Sequence, residues 1–489
     1  MRKVFQKFSV ISKNRIFVNS SWGIISQILQ SILLSLFFIL VARSYSTEVF
    51  ANFIIAFVLY QLISAFSTLG LSQWFIREIS TAYDKKDLIN KFFKLQIYSG
   101  VAFYLLNIFV TFFLYHDSQI QLLTIFLGIN IVFDNLINAI KCINISEFKQ
   151  NKTFIILTTE AFLKFAVTCF LFVLPFSIIK LSILLVIVRF LTLNLFLNLG
   201  SSKLLNLNSV VKYKITFSYI KTLVRLNWPF IIIGSVSIIN WRVSTLIISK
   251  VLSKIDVANF EISYRIFSIS QMLPVVVSAT VFPVLIKYFK ENRLREFNSF
   301  YRKAHVYYFL FGLLSFTFIY SFIDVILPVV FGPNYTNTGV YTKQMFLTIL
   351  VFPTAFLQAN VLIAINLEKM DMWFNVLLLG VNLICCIIGL YFVKSLTVIN
   401  ISIFIGFVLF HIMQDMILLR KQINLAKHVF EFYALTILLV GGYTFLSQIV
   451  NPLLLFLAFW TIIFSLLIYS HKLKTMNKTN FFQKISFWP

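Results

Sequence analysis

The sequence predicts an all-α polytopic membrane protein with about fourteen transmembrane helices, because apolar runs of about twenty residues recur along it between short polar breaks. Hydrophobic residues make up 59% of the 489 residues and charged residues only 12%. The mean hydropathy is +0.89. A water-soluble chain of this length cannot bury so much apolar surface, so lipid must be its main solvent.

Each span is assigned from one apolar run. The predicted spans are 22–42, 50–70, 95–115, 120–140, 154–174, 178–199, 228–250, 260–286, 306–330, 344–365, 372–393, 397–419, 430–449 and 452–470. Basic residues precede the first run, but the run is long and no small-residue cleavage site follows it. This pattern favours a retained first helix over a signal peptide.

The net charge of +25 follows the predicted topology. If both termini are cytoplasmic, 32 of the 42 Lys and Arg residues lie on the inside. The outside loops then contain only Arg43, Lys180, Lys250, Lys254, Lys343 and Lys394. This bias agrees with the positive-inside rule and predicts a multi-pass membrane protein with both ends in the cytoplasm. The excess charge is therefore a topology signal that also suits anionic headgroups of membrane lipids, and it does not indicate nucleic-acid binding.

The cysteines and histidines indicate neither a metal centre nor a disulfide framework. The four cysteines contain no C-x-x-C pair, and the five histidines are scattered along the chain. We therefore expect no metal and no other cofactor.

A short internal repeat predicts two similar halves. Ser46 begins STEVFANF after the first span, and Ser253 begins SKIDVANF after the seventh. Taken together with the matching positions of Trp22 and Trp228, the repeat predicts two six-helix lobes in parallel orientation. The predicted organisation is an N-terminal lobe at 1–199, a cytoplasmic linker at 200–227, a C-terminal lobe at 228–419, and a helix pair with a basic tail at 420–489.

Four segments resemble the polysaccharide flippases, the Wzx-type transporters of O-antigen and capsule units in the multidrug/oligosaccharidyl-lipid/polysaccharide (MOP) superfamily. The segments are ARSYSTEVFANF, FSTLGLSQWFIREIS, YRIFSISQMLPVVVSATVFPVLIKYF and VILPVVFGPNYTNTGVYTKQMF. They contain a Gly-Leu turn at Gly70, a helix with Pro274 and Pro283, and a Phe-Gly-x-x-Tyr loop at Phe331. The resemblance spans most of the first twelve helices and implies a MATE-like fold. Members commonly have twelve helices, so the last pair departs from the pattern.

The resemblance implies a transporter of the bacterial cytoplasmic (inner) membrane that performs no covalent chemistry. Its expected substrate is an undecaprenyl-pyrophosphate-linked oligosaccharide, either an O-antigen (lipopolysaccharide) or a capsule repeat unit, which it would flip by alternating access. Glycan polymerase and chain-length proteins are candidate partners in polysaccharide biosynthesis. Two other functions stay open at this point. They are a cation-coupled multidrug antiporter of the same superfamily and a polytopic glycan polymerase.

Four cations fall inside predicted spans, namely Lys164, Arg189, Arg242 and Arg265. Each costs about 2.5–3.5 kcal/mol at the centre of a membrane helix, so each needs a compensating partner or a water-filled cavity. Glu160 precedes Lys164 by four residues, which favours an ion pair on one helix. Counting Asp134, Glu160 and Asp324 as the intramembrane anions leaves one cation over. The surplus favours an anionic ligand, and the four cations are the predicted pyrophosphate site in a cavity between the lobes.

Polar residues also line one face of the fourth span, where Asn130, Asp134, Asn138 and Lys141 follow at helical spacing. A weaker polar stripe on the first span includes Gln27. Asp134, Glu160 and Asp324 are candidates for ion coupling, and Asn130 and Gln27 for lining the cavity. Contacts between neighbouring helices explain the same stripes equally well.

The rival functions lack the features they need. A polymerase is expected to contain a large outside loop with acidic groups, whereas the longest one here, 331–343, has no Asp or Glu. A cation antiporter is expected to contain buried carboxylates, and the first span, from Trp22 to Ala42, has none.

Overall fold

The computed structural model describes residues 15–147, 149–200, 210 and 215–476, and nearly all of them are helical. Within these residues, 14 spans are long and apolar enough to cross a membrane. The predicted all-α architecture and the predicted number of spans are therefore confirmed, and the chain is a multi-pass membrane protein. Parts of the predicted linker and of the basic tail lie outside the described residues.

The described residues form two compact units, one up to Glu261 and one from Ile262 onward. The first contains α1 (Arg15–Ser44), α2 (Thr47–Ser67), α3 (Leu71–Thr81), α4 (Lys85–Leu114), α5 (Ser118–Gly128), α6 (Asn130–Ser146), α7 (Gln150–Cys169), α8 (Ile178–Leu195) and α9 (Phe217–Val251). The unit boundary falls inside α10 (Lys254–Lys290) and does not coincide with the predicted linker. The lobe boundaries and the parallel relation of the halves stay predictions.

The second unit contains the remaining helices. They are α11 (Leu294–Phe331), α12 (Thr338–Met345), α13 (Phe352–Ala364), α14 (Glu368–Phe392), α15 (Leu396–Arg420), α16 (Ala426–Leu446) and α17 (Pro452–Met476). At 38 residues, α11 is about 57 Å long, nearly twice the bilayer core. This helix is therefore much longer than the hydrocarbon core of a bilayer is thick.

In the first unit, α1 packs against α7 and α4 packs against α6. Aromatic side chains fill the core beside α3, where the rings of Phe75 and Phe92 stack 4.1 Å apart. Gly70 sits in the turn before α3 with φ +61°, and an added Cβ would lie 2.5 Å from the backbone nitrogen of Ile231. The Gly-Leu turn identified in the sequence thus needs glycine both for its backbone angle and for close approach.

The fourth span is interrupted between α5 and α6. A Cβ at Gly128 would lie 2.5 Å from the side-chain nitrogen of Asn107 on α4, so a larger residue there would require the Asn107 side chain to move. The break places Asn130, which is 6% exposed, at the first turn of α6. From there the polar face of α6 continues into the interior of the first unit.

In the second unit, α11 packs against α13, and α14 packs against α15. The tenth predicted span is not one continuous helix. It consists of α12, a 3-10 segment Phe346–Leu350 and α13, with Pro353 in the first turn of α13. Proline is tolerated there because the first turn has no intrahelical partner for its missing N–H. Pro353 therefore lies at the start of a helix and not in a helix interior.

Lys254, in the first turn of α10, links two other helix starts in the first unit. Its Nζ lies 3.0 Å from Oε1 of Glu48 on α2 and 2.7 Å from Oδ2 of Asp117. Asp117 is the N-cap of α5 and also accepts hydrogen bonds from the N–H groups of Gln119 and Ile120. Burial raises the pKa of the Asp117 carboxyl, but Lys254 and the two N–H groups outweigh it and leave the pKa below its usual value.

We expect Asp117→Asn to lower the free energy of unfolding by less than about 1 kcal/mol, because the pair is partly exposed. A lowered carboxyl pKa in the folded state stabilises the protein at neutral pH, and this contribution is lost as the pH falls through the folded pKa, below about pH 4. Thermal unfolding of wild type and variant in detergent should therefore converge at acid pH. A difference that persists unchanged at pH 3 would contradict this assignment.

Candidate functional site

Arg189 lies at the centre of a buried charge network in the first unit. Its Nε donates to Oδ1 of Asp134 at 2.6 Å, and its terminal nitrogens contact Asp134 and Glu160. The hydroxyl of Tyr60 donates to the second oxygen of Asp134 at 2.5 Å. The Arg189 side chain is only 17% exposed. The network therefore joins α2, α6, α7 and α8, and it neutralises carboxylates that would otherwise be costly in an apolar interior.

Lys164 completes the pairing around Glu160, with its Nζ 2.6 Å from Oε1. The predicted pair at i, i+4 on α7 is confirmed. Glu160 is 5% exposed and Lys164 is 24% exposed. Both carboxylates of the network thus already have cations, and neither Arg189 nor Lys164 is a free anion-binding group in this arrangement.

Lys141 is a third cation beside the same network. It lies on α6 seven residues after Asp134, which is two helical turns along one face. Its electrostatic environment includes Arg189, Asp134 and Glu160. Within the part of the chain that the structure describes, Lys141 makes no ion pair or side-chain hydrogen bond. Three cations against two carboxylates give this region a net positive charge.

A second buried pair joins α9 to the first turns of α10. Arg242 donates through Nη1 to Glu261 at 3.1 Å, and their side chains are 8% and 0% exposed. The sequence-based charge count omitted Glu261, although it lies within the predicted eighth span. With Glu261 included, the four counted cations are matched by four carboxylates. The predicted surplus of one cation is therefore wrong, because Glu261 compensates Arg242.

Replacing Arg242 with Gln should sharply reduce the amount of inserted protein. Removing one partner of a buried ion pair leaves an uncompensated charge and costs about 3–5 kcal/mol. The double variant Arg242→Gln/Glu261→Gln should recover much of the loss. Arg293→Gln is the control, because that arginine is 45% exposed beside Glu291 and Glu296. Equal abundance of all variants by in-gel fluorescence of fusion proteins would refute a structural role for the pair.

Two other predicted site residues lie in the second unit. Arg265 is partly buried on α10. Asp324, on α11, has a side chain that is 58% exposed and forms an ion pair of 2.5 Å with Lys343 on α12. Asp324 thus lies in an exposed ion pair within the second unit.

The predicted polar residues differ in their surroundings. Gln27 is exposed on α1, and its neighbour Ser26 makes the contacts with α7 instead. Ser26 donates to the backbone oxygen of Phe154 at 3.1 Å and lies 2.7 Å from the hydroxyl of Thr158. Asn130 is buried in the first turn of α6, on the face that leads to Asp134. The polar stripe of α6 therefore faces protein along its length, whereas Gln27 does not.

Sequence reasoning missed three participants, namely Tyr60, Glu261 and the role of Lys141. Glu261 and Lys141 were visible as charged residues in or next to a predicted span. Tyr60 carried no signal, because a single tyrosine in an apolar run is usual in a membrane helix.

The fourteen apolar helical spans and the buried ion pairs among the described residues are those of a multi-pass membrane protein. Residues 16–289, more than half of the chain, match the family described as polysaccharide biosynthesis protein, and the chain belongs to that family. The resemblance stated from the sequence is thus confirmed. No curated protein sequence matches the chain significantly.

Solved structures share this fold at low identity. The lipid II flippase MurJ in an inward closed conformation is 18% identical with a TM-score of 0.68, and the match covers 91% of this chain and 99% of that one. An inward-facing multidrug resistance MATE family transporter of the MOP superfamily is 13% identical with a TM-score of 0.65, over 81% of this chain and 94% of the other. These matches confirm the predicted MATE-like fold.

Proposed function

We propose that the chain flips an undecaprenyl-pyrophosphate-linked oligosaccharide, such as an O-antigen or capsule repeat unit, across the bacterial cytoplasmic membrane. The observation that carries the proposal is the net positive charge of the buried network on α6, α7 and α8. A pyrophosphate that joins a prenyl chain to a sugar is a dianion at neutral pH, and a cation that lacks a carboxylate partner is a suitable contact for it. Membership in a polysaccharide biosynthesis family and the fold shared with a lipid II flippase support the same substrate class.

Lys141 is the proposed phosphate contact, and Arg189 is its neighbour. Because Arg189 already holds Asp134 and Glu160, it contributes mainly by keeping both carboxylates neutralised, so that they do not repel the ligand. Lys164 does the same for Glu160. This assignment moves the leading role away from Arg189, Arg242 and Lys164, which the sequence had favoured, and the role of Arg265 stays a prediction.

The proposed cycle is alternating access without covalent chemistry, so the protein is not an enzyme. The head group binds from the cytoplasm while the prenyl chain stays in the bilayer, and the protein then opens to the outside. Both termini are cytoplasmic in this proposal. A glycan polymerase and chain-length proteins would use the exported unit.

The principal alternative is a multidrug antiporter, since MATE transporters share the fold. Such a protein needs carboxylates that are available to a cationic drug. Asp134, Glu160 and Glu261 are each paired with Arg or Lys. The pairing makes these three poor sites for an organic cation and favours the anionic substrate.

Depletion of the protein in its host tests the proposal against this alternative. We expect the lipid-linked oligosaccharide to accumulate on the cytoplasmic side and surface glycan to fall, with unchanged susceptibility to cationic dyes. Unchanged glycan together with increased dye susceptibility would refute the flippase and support the pump.

A further inference from the structure

The turn between α2 and α3 places two successive residues in the left-handed region of backbone conformation. Leu69 has φ +52° and Gly70 has φ +61°. This conformation suits glycine, but it is unfavourable for a residue with a Cβ and especially for a bulky one. The other three described non-glycine residues with positive φ have polar side chains, namely Asn292, Asn366 and Gln422. Leu69 is therefore the described residue whose backbone is most clearly strained.

The order of these two residues is unusual for the end of a helix. The helix α2 ends at Ser67, and Thr68 is its C-cap, so Leu69 occupies the first position after the cap. Helices commonly place glycine at that position, because its backbone is left-handed. Here the glycine follows one residue later, although a glycine at position 69 would relieve the strain. The glycine at position 70 must therefore meet a different requirement.

That requirement is the close approach of α9. A Cβ at Gly70 would lie 2.5 Å from the backbone nitrogen of Ile231 and 2.7 Å from the backbone carbonyl carbon of Phe230. Both atoms belong to the backbone of a helix, so they cannot rotate aside as the end of a side chain can. The same helix also packs against both α2 and α3. It can therefore reach the turn only because residue 70 has no side chain.

Buried hydrogen bonds fix the same turn to α4 and α6. Asn135 on α6 is 0% exposed, and its Nδ2 donates to the backbone oxygen of Ser67 at 3.1 Å while its Oδ1 accepts from the Ser67 hydroxyl at 2.6 Å. From α4, Ser99 donates to the same backbone oxygen, and Nε2 of Gln96 donates to the backbone oxygen of Thr68 at 3.4 Å. Moving the turn away from α4 and α6 would leave these buried groups without partners, which is costly.

The contact between the turn and α9 contains no such hydrogen bonds. Among the described residues, neither Leu69 nor Gly70 makes a hydrogen bond to α9, so packing alone holds this helix against the turn. The strain at Leu69 can thus be relieved with the smallest loss of contacts if α9 withdraws and the turn relaxes. Strained backbone persists only where the surrounding structure imposes it, and it is common in switch regions.

We infer that the turn between α2 and α3 is a conformational switch, in which the strain at Leu69 opposes the packing of α9 against Gly70. The turn then sets the balance between a state with α9 packed on it and a state with α9 withdrawn. It lies at the end of α2 that the sequence predicts to face the cytoplasm. Withdrawal of α9 would therefore open the first unit toward the cytoplasm. The inference concerns the free protein, so it does not depend on which substrate is transported.

The test measures the distance between spin labels on Tyr83→Cys, in the loop after α3, and on Leu226→Cys of α9, which are both exposed positions. The full chain is reconstituted in lipid nanodiscs without substrate. The two native cysteines that are not buried, Cys169 and Cys385, are replaced with Ser, and the buried cysteines stay unlabelled. We expect two distances, one for α9 packed on the turn and one for α9 withdrawn.

Gly70→Ala should shift this balance toward the withdrawn state. The substitution introduces a Cβ against the backbone of α9, so the ratio of packed to withdrawn protein should fall about tenfold or more. Gly234→Ala is the matched control, because it adds the same methyl group on α9 at a position where no atom lies within 4 Å. The control should show the wild-type ratio.

Leu69→Gly should shift the balance in the opposite direction, because glycine adopts the left-handed conformation without strain. Its reference is Leu69→Ala, which loses the same packing against the apolar core beside α3 but keeps a Cβ. The ratio of packed to withdrawn protein should be higher in Leu69→Gly than in Leu69→Ala by about fivefold or more.

Equal ratios in Leu69→Gly and Leu69→Ala would overturn the inference, and so would a wild-type ratio in folded Gly70→Ala. If Gly70→Ala does not fold, the two variants of Leu69 still decide. A difference between them in melting temperature alone, with the same distances, would show that the strain is a static feature of the fold and would also overturn the inference. None of these outcomes bears on the proposed flippase function, which depletion of the protein tests separately.

Discussion

Replacing Arg189 with Gln is expected to remove most of the protein from the membrane. The substitution leaves Asp134 without a cation and Glu160 with only Lys164, in a region where the Glu160 side chain is 5% exposed. An uncompensated buried charge costs about 3–5 kcal/mol, which is a large share of the stability of a folded protein. The amount of inserted protein, measured by in-gel fluorescence, should therefore fall several-fold.

The double variant Arg189→Gln/Asp134→Asn should restore the protein, because Glu160 keeps Lys164 as its partner. The pyrophosphate site predicted from the sequence implies a different outcome, in which Arg189→Gln stays inserted and loses only export. Wild-type abundance of Arg189→Gln would show that the network does not hold α6, α7 and α8 together.

Lys141→Gln is expected to have the opposite phenotype, with normal abundance and strongly reduced glycan export per molecule. Among the described residues Lys141 has no ion pair that the substitution could break, so the free energy of unfolding should change little. A hydrogen bond to a charged group contributes about 1.5–3 kcal/mol, which corresponds to about a tenfold to hundredfold loss of ligand affinity. Lys141→Arg should retain part of the activity, since the charge remains although its geometry differs.

Lys149→Gln is the matched control for Lys141. It removes the same charge three residues beyond the end of α6, where Lys149 is 42% exposed and paired with Glu147. Surface glycan normalised to protein amount should be near wild type in this control. Equal normalised export by Lys141→Gln and Lys149→Gln would show that Lys141 does not contact the substrate.

Hydropathy predicted the helices well because bilayer thickness fixes the length of each apolar run. It missed where helices continue into polar surroundings. The fourth helix, α4, begins at Lys85, ten residues before the predicted span, and α11 begins at Leu294, twelve residues before its span. These extensions are polar helical turns, which an apolar window does not detect. Hydropathy also did not show that the tenth span is divided into α12, a 3-10 segment and α13, with Pro353 in the first turn of α13.

The site was predictable only where its partners share a helix. The pair of Glu160 and Lys164 follows from helical spacing, whereas Arg189 and Asp134 lie 55 residues apart and meet only through packing. On α1, the exposed Gln27 and the hydrogen-bonded Ser26 differ by one position, which is about 100° around the helix axis. The polar stripe on α1 therefore identified a helix that makes polar contacts with α7, but the side chain that makes them is Ser26 and not Gln27.

The most direct test of the central claim is translocation of a lipid-linked oligosaccharide by the purified protein alone. Vesicles containing wild type should move a prenyl-pyrophosphate-linked oligosaccharide between leaflets much faster than empty vesicles, and an analogue that lacks the pyrophosphate should compete poorly. Lys141→Gln should slow this movement while Lys149→Gln should not. Movement of the probe at the rate of empty vesicles, with active uptake of cationic dyes by the same preparation, would contradict the account.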